Sequence, residues 1–201
     1  MTLDLALAFA AYAFVTSITP GPNNTMLLAS GVNHGFRRSI PHLLGISLGF
    51  AVLFLSVGLG LGAVLVAVPA LHRGLTAIGA TYLLWLAWKI ARSGPVEGGI
   101  AAEPPLTFLQ AAAFQWVNPK AWVMVTGAAA TYLPAPLHLV DLAALIAGYA
   151  LVGAPCIATW TGFGVALRRL LADRRAATVF NWTMAAALVA SLVPLVRDLA
   201  G

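Results

Sequence analysis

Charge is scarce in this chain: Asp, Glu, Lys and Arg make up 8% of its 201 residues, against roughly a quarter in soluble domains. With 61% apolar residues and a mean hydropathy of +0.91, that scarcity excludes a water-soluble domain and makes the lipid bilayer its first partner. Acid is scarcest of all. The six carboxylates, Asp4, Glu97, Glu103, Asp141, Asp173 and Asp198, fall at the ends of apolar runs or between them. Paired intramembrane aspartates are therefore missing, and so is any HExxH motif or Ser/His pair at a common depth, which argues against a membrane-embedded hydrolase. Cysteine is nearly absent too. Cys156 stands alone, so an internal disulfide, a redox pair and a cysteine metal cluster are excluded, and the thiol reads as a small apolar packing residue. No cofactor is called for, and the spans lack the clustered His, Asp or Glu that a metal-ion exporter would need.

The eleven Lys and Arg against six acids raise the question of nucleic acid. They stand in ones and twos between apolar runs and form no basic patch, so nucleic acid is not expected, and the pattern reads instead as an orientation signal. A bilayer core of about 30 Å takes about 20 apolar residues per helix. The chain accordingly reads as all-α and polytopic, a single transmembrane domain over residues 1–201 with about six spans: Leu3–Val32, Pro41–Val68, Leu75–Ala91, Leu106–Leu133, Leu139–Leu167 and Ala176–Val196. Asn33–Arg38 is expected to form a basic loop, with Ser39 as the cap and Pro41 in the first turn of the second span. Arg92–Pro105 is the one hydrophilic loop. Eight cations fall after spans one, three and five and only Arg73 and Arg197 on the other side, which places both termini outside the cytoplasm and casts Arg37 and Arg38 as topology determinants with a secondary role as a gate. No basic segment precedes the first apolar run, so that run is expected to stay in the mature protein.

Two stretches break the apolar pattern. Thr19-Pro20-Gly21-Pro22-Asn23-Asn24 interrupts the first span with two prolines and a glycine, which a continuous helix cannot accommodate. Gln115-Trp116-Val117-Asn118-Pro119-Lys120 interrupts the fourth. Split near residue 100, the chain gives half-repeats of about 1–95 and 104–201, each with a broken first span. Three spans per half is an odd number, so the halves are inverted, the arrangement that marks the substrate site of secondary transporters. The helices restarting after each break aim their N-terminal ends inward, and such ends attract a carboxylate. Asn23 or Asn24 is expected to cap the second half of span one. Lys120 adds a full charge; a lysine at mid-bilayer costs about 2.5–3.5 kcal/mol, so it reads as functional, the alternative being a side chain that snorkels to the headgroups. Carbonyls exposed before each break, with the side chains of Asn23, Asn24, Gln115 and Asn118, would take an ammonium. A carboxylate and an amine in one site make a zwitterion, a neutral amino acid. The expected substrate-binding set is Pro20, Gly21, Pro22, Asn23, Asn24, Gln115, Asn118, Pro119 and Lys120. The histidines 34, 42, 72 and 138 are placed in loops or at span ends, as solvated or interfacial groups. A homo-oligomer is left open.

The same residues carry a resemblance. Thr19–Asn24, with Gly31, His34-Gly35-Phe36-Arg37 and Gly45-Ile46-Ser47-Leu48-Gly49-Phe50, resembles the N-terminal signature of the LysE/RhtB amino-acid exporters; Asn118-Pro119-Lys120 resembles their second motif and Tyr82–Ala91 their third-helix end. The likeness is dense to about residue 125 and thins afterwards. Asn23-Asn24, Ser30–Arg38, Trp85–Ala91 and Phe114–Asn118 look most like the branch that exports cysteine and O-acetylserine. The resemblance implies efflux of a small amino acid across the bacterial inner membrane, driven by the proton-motive force, with no enzymatic activity. A metal-ion or other small-solute exporter, and less so a membrane-embedded enzyme, stand as alternatives.

Overall fold

The computed structural model describes residues 2–92, 104–168, 170, 171 and 173–193, and every regular element among them is a helix. In order these are α1 (Leu3–Ile18), α2 (Pro22–His34), α3 (Phe36–Ser56), a π-helical turn at Val57–Leu61, α4 (Gly62–Ala67), α5 (Pro69–Arg92), α6 (Phe108–Phe114), a 3-10 turn at Gln115–Val117, α7 (Pro119–Tyr132), α8 (Leu139–Leu167) and α9 (Arg174–Ala190). Three stretches are long and apolar enough to cross a membrane, Phe36–Leu61, Arg73–Arg92 and Leu139–Leu167, and a fourth does so if α1 and α2, bent by 56° at their junction, form one broken span. By that measure the described helices provide three to four spans where the sequence pattern suggests six. The halves of the expected fourth span hold 7 and 14 residues and α9 holds 17. The Arg92–Pro105 loop, with Glu97 and Glu103, lies mostly outside the described residues, as does the expected end of the sixth span.

The outward faces are apolar. On α3, Leu44, Leu48, Val52 and Leu55 are exposed while Gly45, Ile46, Gly49 and Leu53 are buried, and α8 likewise exposes Leu151 and Phe163. Apolar surface on this scale is what a lipid-facing helix presents and a soluble monomer avoids. Inside, α8 is the central element: α1, α2 and α3 all pack on it, α3 also meets α6 and α7, and α5 pairs with α9. Between helices in lipid the hydrophobic effect is lost as a driving force, and close backbone approach takes its place. α2 and α8 cross at Gly31 and Gly164, where a side chain on Gly31 would run into the Thr161 carbonyl oxygen and the Gly164 Cα, and one on Gly164 into the Leu28 carbonyl oxygen. Gly45 and Gly49 do the same for α3 against Phe108, Ala111 and Ala112 of α6, the small-residue face legible in the Gly45-x-x-x-Gly49 spacing.

Three local expectations need correction. Asn33–Arg38 is no loop: α2 runs to His34 and α3 begins at Phe36, so the chain turns on Gly35 alone, whose φ of +78° is open to glycine and strained for other residues. Ser39 caps nothing at the start of α3. Its hydroxyl donates to the Gly35 carbonyl at 2.9 Å and pairs with Ser30 Oγ at 2.7 Å, and Pro41 lies inside the helix. The run Gly58-x-Gly60-x-Gly62 does more than pack, because Gly60 takes φ +111° and breaks the helical path there. The turn at Gly35 sets Arg37 and Arg38 on the exposed first turn of α3 and brings Arg168, at the end of α8, beside Gly35. Cations from the expected first and fifth connections thus gather at one end of the bundle.

Candidate substrate pocket at two helix breaks

Both breaks form where the prolines demand them. α1 ends at Ile18, three residues follow outside any helix, and α2 restarts with Pro22 at its first position, where its missing N–H costs nothing. α7 restarts the same way, with Asn118 as cap and Pro119 first. In a water-poor interior the carbonyls freed at the end of α1 need donors, and each finds one. Thr16 O accepts from Thr19 Oγ1 at 3.1 Å. Ser17 O accepts from Asn24 Nδ2 at 2.8 Å and Ile18 O from Trp160 Nε1 at 3.0 Å. Thr19 O accepts from Asn24 Nδ2 at 2.8 Å and from Lys120 Nζ at 2.6 Å, and Pro20 O from Lys120 Nζ at 3.3 Å. Thr19 Oγ1 lies 3.0 Å from the same ammonium.

This accounting revises the roles expected of the two asparagines. Neither caps α2, whose N-cap is Gly21 with no side-chain bond. Asn24 instead folds back and holds the end of α1. Asn23 reaches across to the second break, exchanging two hydrogen bonds with Gln115, Nδ2 to Oε1 at 2.8 Å and Nε2 to Oδ1 at 3.1 Å. Asn118 is the one that caps, its Oδ1 accepting from the Lys120 amide at 3.1 Å. Trp122 Nε1 donates to the freed Trp116 carbonyl at 2.8 Å. The carbonyls expected to await an ammonium before the first break are thus held by Asn24, Trp160 and Lys120.

The two helix starts and Lys120 meet at one pocket of about 630 Å³, counted out to its mouth. Of the sequence-expected residues, Gly21, Asn23, Asn24, Asn118 and Lys120 line it. Gln115 is buried behind Asn23. Pro20, Pro22 and Pro119 shape the breaks without lining the pocket, and Arg37 and Arg38 sit apart from it at the start of α3. The stem of Lys120 runs over Gly21 and fills the space a side chain there would take, the Cβ position falling 2.5 Å from Lys120 Cδ. The first amide of α2 with a helical bond is Thr25, to Gly21 O at 2.9 Å, so the Asn23 and Asn24 amides belong to the unsatisfied first turn that hosts anions. The opposite wall was not read from sequence. It comes from Thr16 and Ser17 of α1, Ser47, Phe50 and Phe54 of α3, and Tyr149 of α8. Thr16 and Tyr149 share a hydrogen bond at 2.5 Å, and the Tyr149 ring stacks among Phe9, Phe50 and Phe54 with centroids 4.7–6.0 Å apart. These six residues lie on unbroken stretches of helix; the only signal for them was that each is a polar or aromatic residue within an apolar run.

Apolar-faced helices around a pocket built from interrupted helices are the arrangement of a multi-pass membrane protein, and interrupted helices of this kind mark solute sites in secondary transporters. A family model described as "LysE type translocator" matches residues 14–196, and the chain belongs to that family. A cysteine/O-acetylserine efflux protein of Klebsiella pneumoniae is 36% identical over 208 aligned positions, covering 98% of this chain and all of that protein. The proteins of the same name from Escherichia coli strain K12 and Shigella flexneri are 44% identical over 121 positions, 60% of this chain. In those two cases the matched stretch spans 61% of the relative's length. No solved structure matches the chain.

Proposed function

We propose that this protein is a secondary-active exporter of a small neutral amino acid or a close derivative, in the range of cysteine, O-acetylserine, homoserine and threonine, working in the bacterial inner membrane and driven by the proton-motive force. It is a carrier and not an enzyme. The observation that carries the reading is the convergence of both helix breaks on one pocket bridged by Lys120. A substrate carboxylate would meet the free first-turn amides of α2 and the Lys120 ammonium, while its ammonium would take up the Thr19 and Pro20 carbonyls as Lys120 turns toward the carboxylate. The side chain would lie against Phe50, Phe54 and Tyr149, a wall suited to a small, weakly polar group. Pro20, Pro22 and Pro119 hold the breaks open, and Gln115 fixes Asn23. The names of the relatives, cysteine/O-acetylserine efflux proteins, support this size and charge class.

The mechanism we propose is rocking of two inverted halves, 1–95 and 104–201, each of three spans with a broken first member. Helix neighbours support it. Exchanging the halves turns the packing of α1 and α2 on α8 into that of α6 and α7 on α3, and leaves α5 against α9 and α3 against α8 in place. Arg37 and Arg38, at the cation-rich end, would mark the cytoplasmic side and gate it. The test is efflux from membrane vesicles loaded in turn with labelled cysteine, serine, homoserine, threonine, leucine and lysine. Faster loss of the small neutral members than from vesicles without the protein is expected, with lysine retained. Equal retention of all six refutes the reading.

A further inference from the structure

We propose that His42 is the proton-carrying residue of this carrier, an inference that rests on the export reading. The sequence places His42 among solvated span-end groups, and the structure does not: it is 1% exposed on α3, and among the described residues neither ring nitrogen has a hydrogen-bond partner. A buried imidazole without partners carries the desolvation penalty of each unmet polar atom, a cost that packing alone would remove by replacing it with leucine. Its position gives it a use. One helical turn on, about 6 Å along the axis, Ile46 lines the substrate pocket. One turn back, Ser39 pairs its hydroxyl with Ser30 and donates to Gly35 O at the end where Arg37, Arg38 and Arg168 gather. His42 therefore stands between the pocket and the cation-rich end, with a hydroxyl pair leading outward from it.

Of the elements packed on α3, α6 and the Gln115–Val117 turn bring no titratable side chain, α2 brings His34, α7 brings Lys120 and Tyr132, and α8 brings Asp141, Tyr149 and Cys156. His34 ends α2, and Arg37 and Arg38 on the same helix as His42 are exposed. Among the described residues the one carboxylate on these elements is Asp141, in the first turn of α8. In the cycle this assigns, a free ring nitrogen of neutral His42 takes a proton from the pocket when the pocket opens to the outside, forming imidazolium, and releases it toward the Ser30–Ser39 end when the cytoplasmic side opens. The neutral ring then permits an outbound substrate to bind, so one proton enters for each amino acid that leaves.

Proteoliposomes with an acidic lumen and labelled, reduced cysteine in the bath test this, alongside exchange of labelled against preloaded unlabelled cysteine with no gradient. The native protein is expected to show exchange and an accumulation that collapses when the pH difference is removed. His42→Gln is expected to retain exchange and lose the gradient-driven accumulation tenfold or more. A variant with Gln at positions 34, 72 and 138, leaving His42 as the sole histidine, is expected to keep the accumulation, and it decides the matter if His42→Gln does not insert. Accumulation that survives in His42→Gln, or disappears in the sole-histidine variant, overturns the assignment. So does loss of exchange together with accumulation in an inserted His42→Gln, which would make the ring a packing element. A native protein that exchanges cysteine but shows no accumulation dependent on the pH difference overturns the proton role alone, whereas absence of native exchange removes the export reading and this inference with it.

Discussion

Replacing Lys120 with methionine separates the bonds its ammonium makes at the first break from the carboxylate-binding role proposed for it. Methionine keeps most of the stem that lies over Gly21 and deletes the charge. On the structural side the loss is contained, because Thr19 O keeps its bond from Asn24 Nδ2 and only Pro20 O loses its partner. That unmet carbonyl costs about 1–3 kcal/mol, which a multi-helix bundle survives. On the binding side, a hydrogen bond to a charged group contributes about 1.5–3 kcal/mol, and at 1.4 kcal/mol per tenfold the variant should bind a zwitterionic amino acid roughly 10- to 150-fold more weakly. Inhibition of labelled cysteine exchange by serine and by serinol, the analogue with a hydroxymethyl in place of the carboxylate, distinguishes the two effects. In the native protein serine should inhibit far better than serinol. In Lys120→Met the gap should close, because only the carboxylate has lost its partner. If serine and serinol weaken equally, Lys120 acts on the fold of the break and never on the carboxylate; if neither weakens, the ammonium has no part in binding at all.

The remaining expectations concern how the breaks are held. Gly21→Ala puts a methyl against the stem of Lys120 and should displace its ammonium from the Thr19 and Pro20 carbonyls, giving a transport loss in the same direction as Lys120→Met but smaller, read in the same exchange assay. Gly31→Val drives a branched side chain into the backbone of α8 at Thr161 and Gly164; overpacking of this kind costs about 1–3 kcal/mol and should lower the thermal midpoint in detergent, whereas Gly74→Ala, which meets nothing within 4 Å, should leave it nearly unchanged. Asn23→Ala and Gln115→Ala should each destabilise the protein, and the double variant should cost about 1–3 kcal/mol less than their sum, since either change alone strands the other amide. Additive losses would show that the bridge between the breaks carries no coupling.

Both helix interruptions were legible because proline and glycine act locally: the chemistry that stops a helix at Thr19–Gly21 and restarts it at Pro22 and Pro119 is contained in a few consecutive residues. α8 was legible to its ends, Leu139 and Leu167, as an apolar run bounded by polar and basic residues. What each side chain bonds to was not. Asn24 looks like an N-cap in sequence and acts backwards on α1, because the 56° bend carries its amide to the Ser17 and Thr19 carbonyls. Trp160, 142 residues from Ile18, gives no sign in its own neighbourhood that it closes a helix end elsewhere. The α3 start was misplaced for the opposite reason: Ser39 and Pro41 are good local signals for a helix N-terminus, and they were overridden by Gly35, which turns the chain in a single residue and lets the helix begin five positions before the proline. His42 went with that error, since a helix starting at Phe36 moves it from a span end into the packed interior.

Lys120 shows why such disagreements between local and global preference repay attention. It is the second residue of α7, where the helix dipole presents its positive end and a cation is disfavoured by about 0.3–1 kcal/mol. An acid or a neutral residue would suit that position better on local grounds, and the sequence offers no carboxylate nearby to compensate. The compensation comes from another helix: α1 ends in the carbonyls of Thr19 and Pro20, and the negative end of its dipole faces the ammonium at 2.6–3.3 Å. The cation is therefore held between the positive end of its own helix and the negative end of a second. That is a poor arrangement for a purely structural lysine and a useful one for the proposed release of the charge to a substrate carboxylate. A residue that only stabilised the first break could be supplied by α8, as Trp160 shows at Ile18. Placing it instead on the second break makes the two breaks share one charge, so that in the rocking mechanism proposed above whatever draws Lys120 away from the α1 carbonyls would also loosen one half from the other.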